Sequence, residues 1–275
     1  MLRRACVFAL PLLAAVALTL SSSYGWGESA ERLIANKAIE TLPEEMLPFF
    51  ESNRQFIVEH VTEPEGAKPE DHTGFIQLDH YGQFPFSALP HSYTAASLKY
   101  TKHTLVEYGV LPWQIGIESE KLTSNFREHQ WGEAKLSAAT LAHFVAAASD
   151  PFNTTMNSDG HLSDQPGVNQ RYDTGLVDRY QLFFFVKANQ ASYVPEPTDR
   201  AFDMCLEAHS WLENILLSDR RAHEGLTGYA DDYYDHFYAQ AGAVLIRQLS
   251  DASTNVGSYW MTAWINAGRP QLPSR

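Results

Sequence analysis

Apolar residues recur at spacings of three and four through most of this chain, and the alternation that marks a half-buried strand is nearly absent. Leu33, Ile34, Ala38 and Leu42 form one stripe over residues 28–41, which predicts a helix closed by Pro43. A second short helix is expected over 44–60. The stretch TEPEGAKPEDHTG that follows is rich in Pro, Gly and charge and reads as a loop. GFIQLDHYGQFPFSALP then crosses the core as an irregular segment. Helices are expected near 92–109, 113–129 and 133–149, separated by Tyr108-Gly109 with Pro112 and by Gln130-Trp131-Gly132. Beyond a loop over 150–170, three more are expected near 173–190, 197–218 and 229–267, the last broken at Ser253–Gly257. The pattern predicts an all-α fold without internal repeats, one domain over residues 26–275.

The N-terminus departs from this pattern. Arg3 and Arg4 precede an apolar run from Val7 to Leu20, and Ser23 and Gly25 are placed for cleavage before Trp26, so residues 1–25 are expected to be a secretory signal peptide. The run is shorter than the roughly 20 residues a bilayer helix needs. After cleavage no transmembrane segment is expected, and the protein is exported, to a periplasm or beyond the cell. Removing residues 1–25 takes away Arg3 and Arg4 and no acid, which leaves 18 basic against 33 acidic residues and a net charge of −15. Such a field repels nucleic acid and anionic headgroups, so nucleic acid is an unfavourable partner. Cys6 leaves with the leader and Cys205 remains alone, which excludes an intramolecular disulfide.

Residues 143–173 carry the most specific signal. They read HFVAAASDPFNTTMNSDGHLSDQPGVNQRYD. Without a gap this resembles the pattern H-x-x-x-D-x-x-x-P-x-H-T-T-x-N-x-x-G-x-L-x-x-Q-x-G-x-H-x-x-x-E of bacterial zinc-dependent phospholipase C and the single-strand-specific zinc nucleases. LDHYG at 78–82 and YGVLPWQI at 108–115 extend the resemblance over roughly residues 26–185. It implies a single-domain, multi-helix fold around a cluster of three zinc ions that generates hydroxide and neutralises a phosphodiester.

Most of the implied ligands are replaced. His143 and the terminal carboxylate Asp173 remain. The bridging carboxylate is Ala147, two His positions are Asn153 and Asn169, a further His is Gly74, and Glu31 and Glu63 stand at two other ligand positions. In the family a mature N-terminal Trp binds zinc through its amine and carbonyl, and cleavage before Trp26 supplies that terminus. The metal candidates are therefore Trp26, Glu31, Glu63, His143 and Asp173, with Asn153 and Asn169 as substrate-orienting amides. A methyl group cannot bridge metals, and neutral amides are poor zinc donors.

Other readings of the same residues stay open. His143 shares an apolar helix face with Leu136, Thr140, Phe144 and Ala147, as a hydrogen-bonded core histidine does. Asp150, Asn153, Asn157, Asp159, Asp164, Asn169 and Asp173 form an oxygen-rich loop suited to Ca²⁺, and Asn157–Gly160 is equally a turn signal. TGYADDYYDHFYAQ at 227–240 offers rings for a sugar or a cation, or the buried face of a helix.

Three functions follow. The first is an exported pseudoenzyme of this fold with a degenerate zinc site, binding a small phosphorylated, lipid-headgroup or sugar ligand in the old pocket. The second is a hydrolase of ester or phosphodiester bonds with a rebuilt one- or two-metal site; the cofactor is a divalent cation, zinc or calcium, at reduced stoichiometry, or none. The third is a structural or partner-binding envelope protein, signalled by burial of the old pocket under aromatic rings.

Overall fold

A computed structural model describes residues 26–64 and 72–274. The expected leader at 1–25 lies outside the described residues, as does most of the Pro- and Gly-rich loop. Among the described residues there is no strand, so the all-α expectation holds. The helices are α1 (Glu28–Ile39), α2 (Leu47–Ser52), α3 (Arg54–His60), α4 (Tyr93–Tyr100), α5 (Lys102–Glu107), α6 (Leu111–Arg127), α7 (Trp131–Ala147), α8 (Val168–Gln170), α9 (Val177–Tyr180), α10 (Pro197–His209), α11 (Leu212–His223) and α12 (Asp231–Asn266). None of them is long and apolar enough to cross a membrane.

Helix α12 is the spine. Its 36 residues reach about 54 Å at 1.5 Å per residue, and α1, α6, α7 and α11 pack along it. The expected break at Ser253–Gly257 does not occur. Gly257 is there for contact instead: a Cβ would overlap Thr41 Oγ1 and come within 3.0 Å of Ala38 O, so its absence lets α1 lie close against α12. Helix α7 is equally buried, with Ala134, Ala138, Ala139, Ala142, Ala146 and Ala147 presenting small side chains to its neighbours. Two indoles fasten onto it. Trp26 Nε1 donates to Ala146 O at 3.0 Å, and Trp260 Nε1 donates to Ala138 O at 2.9 Å.

Three predicted helices end differently, each for a local reason. The segment 92–109 divides at Thr101, which sits at φ 67° and accepts the Thr104 N–H on its Oγ1 at 3.3 Å, so one side chain starts a new helix. The segment 197–218 divides at Ser210–Trp211, where Ser210 Oγ turns back to Glu207 O at 2.6 Å. The segment 173–190 stays helical only to Phe183 and is then extended.

Helix α12 supplies the reason for the extension. Ser250, Thr254, Ser258 and Thr262, four residues apart, accept the backbone N–H groups of Lys187, Asn189, Ser192 and Val194 at 3.1, 3.0, 3.0 and 2.8 Å. A hydroxyl stripe thus replaces the hydrogen bonds that a helix or sheet would have given this strap. Where the helix gives way to the strap, Leu182, Phe183 and Phe185 stand 91%, 76% and 80% exposed.

Candidate functional site

Five of the seven sequence-predicted site residues meet in one buried cluster. His143 comes from α7, Glu31 from α1, and Asp173 from a wide helical turn over Arg171–Leu176 whose bonds run to the fifth residue. Trp26 precedes α1. Such widened turns are rare and cluster at functional sites. Trp26, Glu31 and Asp173 are all under 5% exposed. Asn153 joins them from below, donating its amide to Ala147 O at 3.0 Å. Asn169 is half-buried one turn before Asp173. Glu63 is exposed past the end of α3, which finishes at His60, and is not part of the cluster.

The electrostatics of the cluster are those of a buried ion pair beside two crowded carboxyls. His143 Nδ1 lies 2.9 Å from Glu31 Oε1, at ion-pair distance, though at an angle that leaves Nδ1 without a well-directed hydrogen bond. Burial opposes the imidazolium charge, but the Glu31 carboxylate and the backbone of Val61 outweigh it, so the His143 pKa is raised. Asp150, fully buried three residues past Ala147, is pushed up to about 7 by burial, against the Phe152 N–H it accepts at 2.9 Å, with Glu31 adding to the rise. Burial and the charge of Asp150 hold Asp173 well above the carboxylate range.

Two such carboxyls side by side need a proton or a cation between them. Asp150 Oδ2, Asn153 Oδ1 and Asp173 Oδ1 meet no protein hydrogen bond among the described residues. Yet no three His, Cys, Asp or Glu side chains among the described residues converge in an arrangement that holds a metal ion. Ala147 is buried where a bridging carboxylate would stand. The residues present do not fit a zinc cluster. His143, Asp150 and Asp173 each hold a proton more tightly here than an exposed group of the same kind would.

Aromatic rings close over this interior. Tyr172 is fully buried, with ring centroids 6.1 Å from Trp26 and 6.0 Å from Phe152. Two members of the oxygen-rich loop bind its own backbone. Asn157 Oδ1 accepts the Leu162 N–H at 2.8 Å, and Asp159 Oδ1 accepts the Gly167 N–H at 3.1 Å. In the Tyr-rich segment Tyr233 and Phe237 are core residues, and Tyr229 lies under the Arg171 guanidinium at 4.0 Å. Arg171 in turn pairs with buried Asp219 at 3.0 Å.

On the other side of residues 151–157 the surface opens into a cleft of about 740 Å³. Asp79, from the LDHYG motif, accepts Thr155 Oγ1 at 2.7 Å and the Met156 N–H at 2.8 Å, and its other oxygen is 3.6 Å from His209 Nε2. Arg220 stands across the cleft, held at 3.2 Å by Gln165 Oε1. The sequence flagged Asp79 within its motif, but nothing in the spacing tied His209 or Arg220 to it, since they arrive from α10 and α11.

The arrangement has known counterparts in shape. The alpha-toxin of Clostridium perfringens, from avian strain SWCP, superposes with a TM-score of 0.54 over 90% of this chain and 66% of its own, at 12% identity. The alpha toxin of Clostridium absonum gives 0.52 over 86% and 63%, at 13% identity. This is the alpha-toxin fold. At such identities the likeness speaks for the fold alone, and the chain spans less than two thirds of either toxin. No protein-family model and no curated protein matches the sequence. The all-α phospholipase C architecture expected from the motifs is therefore observed.

Proposed function

We propose that this is an exported ligand-binding protein on the alpha-toxin fold that performs no metal-dependent hydrolysis. One observation carries the reading. Glu31 sits at ion-pair distance from His143, Asp173 is buried near Asp150, Tyr172 packs beside Trp26, and among the described residues no three His, Cys, Asp or Glu side chains are grouped to hold a metal ion. The old pocket is therefore core, and the ligand belongs in the cleft of Asp79, His209 and Arg220. Arg220 and His209 suit a phosphate, and Asp79 suits hydroxyls, which fits a small phosphorylated or sugar-bearing ligand.

The test is calorimetric titration with glycerol 3-phosphate and with glycerol, beside an assay on bis(p-nitrophenyl) phosphate with and without zinc. The reading expects binding of the phosphate alone, weakened about tenfold by Arg220→Ala, and no zinc-dependent turnover. Zinc-dependent turnover abolished by His143→Ala would overturn it. A second reading, hydrolysis without metal, is favoured by the Asp79–His209 pair; turnover lost in His209→Gln but insensitive to chelators would select it. Closure of the old pocket by rings also suits a structural or partner-binding protein, and failure of every small ligand to bind would turn the account that way.

A further inference from the structure

A second cleft, of about 930 Å³, lies between α4, α6 and the start of α10 and shares no lining residue with the first. We propose that it binds a small amphiphilic cation, an ammonium group carried on an apolar body. The proposal does not rest on the reading above.

The walls are apolar and partly bare. Trp113, Ile117 and Glu120 follow one another at spacings of four and three along one stripe of α6, so they face the same space. Ile117 is 59% exposed and Val106 opposite it 40%, large aliphatic side chains left in solvent at the mouth. Trp113 is fixed: its Nε1 donates to His91 O at 2.6 Å, and its ring meets Tyr93 edge-on at 5.4 Å and Phe202 at 5.1 Å. The floor is tight because Gly116 has no Cβ to strike Thr198 Oγ1, which lets the start of α10 come against α6.

The charge around these walls has one sign. Glu120, Glu196 and Asp199 line the cleft, and none of its lining residues is Lys or Arg. Asp199 is answered by His91 Nδ1 at 2.9 Å, while Glu120 and Glu196 also line the cleft. Apolar walls of this volume hold a ligand body, and carboxylates beside aromatic rings select a cationic head over a neutral or anionic one. A fatty acid or phosphate would meet only like charge.

The experiment is calorimetric titration of the full chain with octylammonium, octanol and octanoate below their micellar concentrations. The proposal expects octylammonium to bind at least about tenfold more tightly than octanol, the weight of one ionic or cation–π contact, and octanoate not to bind. The double variant Glu120→Gln/Glu196→Gln should remove that advantage and leave octanol unchanged. Ile117→Lys, at an exposed position, should abolish octylammonium binding while the thermal melt stays at its parent value. Equal binding of octylammonium and octanol, preference for octanoate, no binding at all, or an advantage that survives the double variant would each overturn it.

Discussion

Glu31 and His143 face each other at 2.9 Å in the interior, a carboxyl and an imidazole both largely shielded from solvent. Removing one partner leaves the other buried without its counter-charge. Glu31→Ala or His143→Ala should each cost about 3–5 kcal/mol, read by urea unfolding. Glu31→Met with His143→Phe should recover most of that loss, because an apolar pair of similar volume has no charge to desolvate.

The pH dependence follows from three groups with one sign. His143, Asp150 and Asp173 all hold protons more tightly folded than unfolded. The contribution of His143 is fully present below its ordinary value of 6.5 and is lost as pH rises through its raised folded value. The cost of the carboxyls begins above their ordinary 3.8 and, for Asp150, is complete once pH passes about 7. Stability should therefore fall from pH 5 to pH 9. Melting curves across that range should show a drop of several degrees, and Asp150→Asn should flatten it. A rise in melting temperature with pH would contradict the assignment.

The hydroxyl ladder gives a separate prediction. Thr262→Val and Ser258→Ala each strip an acceptor from a backbone N–H of the strap and should cost about 1 kcal/mol. Amide hydrogen exchange at Val194 and Ser192 should quicken locally, with the core unaffected. Slow exchange in both variants would show that something else holds the strap.

Much of the fold was legible in this sequence because helices announce themselves by apolar spacing, and α1, α6 and α7 fell close to their predicted positions. The strap over 184–194 was not. The apolar run LFFFV at 182–186 leads into it out of the helical turn at Gln181–Phe183, and only the partner stripe on α12 decides that the backbone stays extended. Nor did Gly257 say whether it bends a helix or admits a neighbour, since both uses require the same missing Cβ. In the site, the motif frame pointed to Trp26, Glu31, His143, Asn153 and Asp173, which lie near one another in the interior. It missed that Asp150 is the cluster's third carboxyl, because the frame assigns no ligand to that position.

Leu182, Phe183 and Phe185 contribute little to folding as they stand in solvent. Changing all three to Ser should leave the unfolding free energy within about 0.5 kcal/mol of the parent. Sedimentation at high concentration should show weaker self-association, since an exposed apolar run of this kind is a contact surface.

The central claim is that the buried cluster holds its protons tightly and does not hold zinc. The direct measurement is elemental mass spectrometry of the protein processed to begin at Trp26, incubated with zinc and then dialysed. The account predicts far less than one zinc per chain, with no change in melting temperature on adding zinc or a chelator. One or more tightly held zinc ions per chain, removed together with stability by chelation, would contradict it.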